Sequence, residues 1–334
     1  MRWPRRATKR RGRHLRAIVV AGVGLVLVAG CGSGTPRYPP GFPSPSQVPR
    51  SAASRVIVVV MENKEFGDVI GKHTAPFINA LANRGALATQ AFAVTHPSLP
   101  NYLALVGGST GEVTSDCTSC HLNAPNLVDQ FEAAGVTWKA YMEAMPQRCF
   151  RGAQSGRYAK KHDPFIYYDD VAGDPARCGK IVPARELSAD LRGGRLPSFA
   201  WITPDLCNDM HDCSVQTGDR YLARLIPSLT RAIGPHGFLI LLWDEGGSDR
   251  GCCRMAAGGR VPLIVVGPDV RAGTRSAAPF DHYSVLRTIE QTFGLPALAG
   301  AACDCSPPLV ALFTRPPRIT PTSRVTKPAR SRPH

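Results

Sequence analysis

The chain lacks an apolar run long enough for a confident membrane span. Its uncharged stretch at residues 17–30 falls short of the roughly 20 residues a spanning helix needs. It also lacks a charge excess in its body. Of 40 Lys and Arg against 25 Asp and Glu, eight basic residues fall in residues 1–17 and six in residues 315–334, with no acid at either end. The remainder sets 26 basic residues against 25 acidic ones, so there is no basic face for a nucleic acid and nucleic-acid binding is not expected. No second Cys-x-x-Cys or close His pair accompanies Cys117 and Cys120, which leaves the zinc reading of that motif without four ligands.

The N-terminus has a different use for its charge. Residues 2–16 form a basic n-region ahead of the apolar stretch, which ends Leu27-Val28-Ala29-Gly30-Cys31 and resembles the bacterial lipobox. That resemblance implies cleavage before Cys31 and lipidation of its sulfur, making residues 1–30 a lipoprotein signal peptide. The competing reading is an uncleaved anchor helix. Either way the protein is expected to be exported and held by a lipid or helix anchor at the extracytoplasmic face of the cell membrane. Ten cysteines besides Cys31 then read as up to five disulfides, with connectivity open.

Residues 31–54 are rich in Pro, Ser and Gly and read as a flexible tether. A single folded domain is expected over 55–313, followed by a basic disordered tail over 314–334. Strand-like runs recur at 56–60, 137–142, 198–203, 238–243 and 261–266, and helical patterns at 76–88, 126–134, 218–233 and 282–293. Their alternation predicts an α/β fold with a mostly parallel central sheet and helices on both faces. Such sheets place ligands at the carboxyl ends of their strands.

That rule gathers the polar residues into one site. Glu62 and Asn63 follow the first strand, Asp205 and Asp209 follow 198–203, and Asp244 and Glu245 end 238–243 before Gly246 and Gly247. Ser98 lies between Pro97 and Pro100 at the start of a helical pattern, where a stiff turn and the helix N-terminus suit a nucleophile attacking an anion. Asn101 is placed to donate to a phosphoryl oxygen, and His96 to orient the nucleophile or protonate a leaving group. Glu62, Asn63, Ser98, Asp244, Glu245 and Asp209 make an oxygen-rich set for a divalent metal ion, Mg, Mn, Ca or Zn. Asn63, His211 and His282 are read with Asn101 as substrate-binding, with the two histidines alternatively serving a second metal. His73, His121, His162 and His236 have no partner pattern and are read as surface residues. The competing readings are a plain turn for Ser98, a solvated strand end for Asp244-Glu245 and a disulfide-pinned loop for residues 204–213.

Taken together, the segments at 58–63, 95–102, 202–212, 243–247 and 281–288 resemble the bacterial phosphoesterase family of acid phosphatases and phospholipases C, within the alkaline phosphatase superfamily. The resemblance implies an alkaline phosphatase-like fold, with Glu62, Asn63, Ser98, Asp244 and Glu245 around a metal and Asp209, His211 and His282 nearby. Ser98-Leu99-Pro100-Asn101 is similar to the Thr-Phe-Pro-Asn segment of the nucleotide pyrophosphatase branch, whose first residue is nucleophile and whose Asn binds phosphate. Glu62 and Glu245 depart from the Asp and His of two-zinc members. No Cys-x-Pro-x-Arg sulfatase signature occurs.

The expected function is metal-dependent phosphoester hydrolysis, of acid phosphatase type, through a phosphoserine on Ser98. The expected substrate is a small phosphoester or a phospholipid head group. The alternatives are a phospholipase C-type phosphodiesterase and, from another class, a non-catalytic surface binding lipoprotein.

Overall fold

The structure is a computed structural model and describes residues 42–320. The expected signal peptide, the Cys31 lipidation site, residues 31–41 of the tether and 321–334 of the tail lie outside the described residues.

Val56–Met61 forms β1 with all six residues buried, as a run of β-branched residues in a two-sided sheet requires. After a single helical turn, α1 (Phe66–Val69), and α2 (Pro76–Arg84) comes β2 (Ala86–Phe92). Next are α3 (Ser98–Gly107), α4 (Leu127–Ala133) and β3 (Trp138–Met142). A small hairpin, β4 (Gln154–Ser155) with β5 (Tyr158–Ala159), precedes α5 (Asp169–Ala172), α6 (Pro175–Cys178) and β6 (Ile181–Pro183). The chain continues through α7 (Arg185–Arg192), β7 (Phe199–Thr203), α8 (Val215–Ala232) and β8 (Phe238–Trp243). It closes with β9 (Leu263–Val266), β10 (Arg275–Asp281) and α9 (His282–Phe293).

Eight strands form one sheet in the order β10-β2-β9-β8-β1-β7-β3-β6. The pairings β1 with β7 and β8, β3 with β6 and β7, and β10 with β2 are parallel, and only β9 runs against its neighbours β2 and β8. The expected mostly parallel α/β sheet is therefore observed, and its central strands end side by side. β1 and β8 pair in register as far as Met61 opposite Trp243, so Glu62 and Asp244 leave the sheet together.

Three strands of the central sheet escape the sequence pattern. β2 (ALATQAF) and the edge strand β10 (RSAAPFD) carry few β-branched residues, and β6 has only three residues. The helix expected at 76–88 stops at Arg84, and Ala86 to Ala88 belong to β2.

The expected ends of the domain also need correction. Residues 42–54 do not hang free: Phe42 packs edge-on against Tyr221, the Ser228 hydroxyl donates to Pro43 O at 2.6 Å, and Val48 is buried. At the other end, Thr314 N donates to Asp269 O and Ile319 N to Thr292 O, so residues 314–320 are docked too. Pro, Ser and Gly content in the first segment and Pro, Thr and Arg content in the second suggested flexibility, but a few apolar anchors and backbone bonds hold both.

All ten described cysteines pair, four of the five bonds closing within six residues: 117–120, 149–178, 207–213, 252–253 and 303–305. Cys117 and Cys120 are thus a disulfide and not zinc ligands. No helix among the described residues is long and apolar enough to cross a membrane.

Candidate active site

The loop before α3 is held from three directions. Ala93 and Val94 exchange backbone hydrogen bonds with residues 257–259. Gly258 is required there, since a Cβ would collide with the Thr95 backbone. From inside, Asn101 accepts from Val94 N at 2.9 Å and Thr95 N at 3.0 Å, and donates to Thr95 O at 2.7 Å and Pro97 O at 3.0 Å. Asp116 completes the frame by accepting from Leu99 N at 3.0 Å. All ten residues of α3 are buried, so Ser98 sits on a rigid helix start.

Ser98 Oγ lies 3.1 Å from Glu62 Oε2 and 3.1 Å from Glu245 Oε1, and 3.5 Å from Asn63 Oδ1. Asn63 takes a left-handed φ of 48°, and its N–H donates to Asp244 Oδ1 at 2.9 Å. The second Glu62 oxygen accepts from the Tyr102 hydroxyl, one helical turn beyond Ser98. Gly246 lets the Asp244-Glu245 turn approach Gly259, whose Cα would stand 3.0 Å from an added Cβ. Gly247, by contrast, has open space around it.

A second layer comes from residues 160–163 and 205–213. His162 is buried, with Nε2 3.3 Å from Glu62 Oε2 and Nδ1 3.4 Å from Asp209 Oδ2. Its ring lies 5.7 Å from that of His211. Glu62, His162 and His211 each offer a ligand atom within 4.8 Å of the others, a possible metal-binding group. Lys161 Nζ bridges Asp116 Oδ2 at 2.7 Å and His211 Nε2 at 3.3 Å.

The charges here are mutually uncomfortable. Burial, with Asp244 and Asp209 adding to it, pushes the Glu62 carboxyl well above the usual range. Burial raises Asp244 to about 7, with Glu245 contributing, and Asp209 to about 9. Burial, with Lys161 and His211 nearby, keeps the His162 imidazole neutral. Asp244 Oδ2, Asp209 Oδ2 and His162 Nε2 are all buried without a hydrogen-bond partner. Buried acceptors of this kind are costly unless something pairs with them. Carboxylates and a neutral imidazole with orphaned lone pairs close to one serine are a donor set that fits a divalent cation.

Most expected site residues therefore meet, with corrections. Glu62, Asn63, Ser98, Asp244 and Glu245 form one cluster, adjoined by Asp209 and His211. Asn101 is not available to a phosphoryl group, because both of its polar atoms are committed to the backbone of residues 94–97. His282 is buried, donates from Nε2 to Asp244 O at 2.5 Å, and is lowered by burial to about 4. It fixes the Asp244 backbone and does not face substrate. His96 bonds Glu245 Oε2 through Nδ1 and lies 3.3 Å from Ser248 O through Nε2, so it reaches Ser98 only through Glu245. Burial opposes its charge, but the Glu245 hydrogen bond prevails and raises its pKa. Asp205 caps the turn at Cys207 and Asn208.

His162, read as a surface residue, is the chief omission, and Tyr102, Lys161 and Asp116 were also missed. His162 and Lys161 had only the Lys160-Lys161-His162-Asp163 string as a sequence signal, which has no ligand spacing, whereas Tyr102 ended the segment at 95–102.

The profile described as Phosphoesterase family matches residues 72–296. The chain is 36% identical over 258 residues to a Mycobacterium tuberculosis protein named phosphatidylinositol-3-phosphatase, covering 76% of this chain and 81% of that one. It is 31% identical over 265 residues to a probable acid phosphatase of Kluyveromyces lactis, covering 76% of this chain and 61% of the relative. A solved alkaline phosphatase superfamily protein from Vibrio parahaemolyticus superposes with a TM-score of 0.50 at 12% identity, over 80% of this chain and 74% of that one. That likeness concerns the fold alone. On the profile match and the close relative, this chain belongs to the phosphoesterase family.

Proposed function

We propose that this phosphoester hydrolase is an acid phosphatase-type phosphomonoesterase that forms a phosphoserine at Ser98 and depends on a divalent cation. The single observation that carries the reading is the Ser98 hydroxyl, 3.1 Å from carboxylates on both sides at the start of a buried helix. Serine needs such activation because its own pKa leaves it a poor nucleophile.

Glu62, Asp209, Asp244 and Glu245, with His162 and His211, are the residues that would hold the cation, and Asn63 adds an amide oxygen. When bound, the cation neutralises charge developing on the nucleophile and phosphoryl oxygens. The imidazoles favour an ion that accepts nitrogen, such as zinc, over calcium or magnesium.

Ser98 Oγ passes its proton to one of the flanking carboxylates, and its lone pair forms the bond to phosphorus as the bond to the leaving oxygen breaks; the carboxyl then gives that proton to the departing alkoxide. Water, losing a proton to the same carboxylate, attacks the phosphoserine, and that proton passes to Ser98 Oγ as phosphate is released. Lys161, held by Asp116, supplies positive charge for a dianionic monoester, which a diester monoanion needs less. The names of the relatives support the same class. The enzyme reading displaces the non-catalytic binding lipoprotein.

Export with a lipid anchor at Cys31 also belongs to this proposal. Five disulfides among the described residues support an oxidising compartment.

The test is turnover of an aryl phosphate monoester and the matching diester, with and without chelator, beside Ser98→Ala. Monoester turnover should dominate, vanish with chelator and return with added divalent metal. Ser98→Ala should lose at least roughly 1,000-fold, the scale of losing a nucleophile. Wild-type activity in Ser98→Ala sinks the nucleophile assignment, and faster diester turnover sinks the monoesterase.

A further inference from the structure

Outside the Ser98 cluster, a cavity of about 420 Å³ opens where β3 and β6 end, at the carboxyl edge of the sheet where this architecture places ligands. Its volume is that of a small-molecule site. Asn208 lines it, and the next residue, Asp209, belongs to the Ser98 cluster. The cavity thus backs onto the loop that supplies the catalytic centre.

Its polar lining is rich in donors. Arg185 and Arg224 both face it, and neither belongs to an ion pair among the described residues. Arg224 Nε is buried with no hydrogen-bond partner. Tyr221, 2% exposed, brings a hydroxyl that lies beside Glu143 without a well-aligned hydrogen bond. Arg185 opens α7, an eight-residue helix whose N-cap, Ala184, offers no side-chain cap, so the helix start adds partial positive charge. The one acid in the lining, Glu143, has its Oε2 committed to Asp205 N at 2.9 Å and Asn208 Nδ2 at 3.0 Å. Two guanidiniums, a buried N–H without an acceptor and an uncapped helix start together want an oxyanion.

We propose that this cavity is a second oxyanion site that takes a phosphate group, either free orthophosphate or the distal phosphate of a substrate carrying two. Guanidinium forks match the geometry of phosphate oxygens.

The site is independent of the Ser98 chemistry, and its test can be made so. Without a cation the Ser98 cluster lacks the positive charge that would hold phosphate, so chelator silences that centre and leaves the cavity. Calorimetric titration of orthophosphate into the chelated protein should show one phosphate per chain. Arg224→Met and Arg185→Gln should each weaken it at least tenfold, Arg224→Lys should restore much of it, and Ser98→Ala should not alter it. Arg185 is exposed, so its variant folds even if Arg224→Met does not.

Two kinetic arms with the loaded enzyme then separate the sources. If the ligand is a substrate's distal phosphate, Arg224→Met lowers kcat/KM for a sugar bisphosphate tenfold and leaves an aryl phosphate unchanged. If it is free orthophosphate, wild type shows a non-competitive component of phosphate inhibition that Arg224→Met lacks. No phosphate bound under chelator, or both arginine variants binding as wild type does, overturns the proposal. Loss of turnover in wild type with phosphate binding intact refutes the monoesterase reading alone.

Discussion

Substituting Asn101 decides between a phosphate ligand and a structural pin. In Asn101→Ala, four hydrogen bonds to the backbone of residues 94, 95 and 97 are lost. The freed N–H and C=O groups stay in an interior where Asn101 is 0% exposed. At roughly 0.5–1.5 kcal/mol each, those bonds amount to about 2–6 kcal/mol, a large share of a domain's usual stability of about 5–15 kcal/mol. For a domain of this size the melting temperature should fall by about 5–15 °C. Asn101→Asp keeps both acceptor bonds but turns a buried carboxylate oxygen onto Thr95 O and Pro97 O, so at neutral pH it should be no more stable than Ala. Because the loop positions Ser98, kcat should drop by about 10–100-fold through misplacement, with affinity for orthophosphate or vanadate little changed. Differential scanning calorimetry and vanadate inhibition provide the two readouts. An Asn101→Ala protein that melts with wild type yet has lost oxyanion affinity would refute the pin and restore the ligand.

The remaining predictions concern the cation, the substrate charge and a buried acid far from both. His162→Ala removes one of the three grouped donors and should lower divalent-metal affinity by about 10–100-fold. Metal-dependent recovery of activity after chelation measures it, and an unchanged curve excludes His162 from the site. Lys161→Met should reduce kcat/KM on a monoester by about 10–100-fold and on a diester by less, while Lys161→Arg keeps most activity. Equal losses on both substrates would remove Lys161 from charge recognition. Glu290 on α9 accepts from Leu298 N at 2.8 Å, and burial raises it from 4.5 to about 8. The fold therefore prefers its protonated form. Its contribution is full below pH 4.5 and is lost as pH rises toward 8. Glu290→Gln keeps the acceptor without the titration and should be more stable than wild type by about 1–3 kcal/mol at pH 8.5, with no gain at pH 4.5. Urea unfolding at both values checks this, and parallel pH profiles would refute it.

Much of the fold was legible because burial leaves a compositional trace. β1 and β8 are continuous apolar runs, each ending in acids, and a parallel sheet must gather such ends at one edge. Helices α8 and α9 showed through their spacing, α9 over its full length from His282 to Phe293. β2 and β10 did not, because Ala, Thr, Gln and Ser fill them and their strand state comes from neighbours in the sheet. Ser98, Glu62, Asn63, Asp244 and Glu245 were readable because each adjoins a recognisable turn or strand end. His162 was not, since nothing near it in the chain pairs with it.

By itself, the sequence determined the α/β class, the serine at a helix start and the acids that surround it, because periodicity and strand-end position are local properties. Tertiary structure alone decided the roles. Folding occupies Asn101 with backbone and turns His282 onto Asp244 O. It also carries His162 into contact with Glu62 and Asp209. Hydrogen-bonding capacity is finite, and only the folded chain shows which lone pairs and protons are already spent.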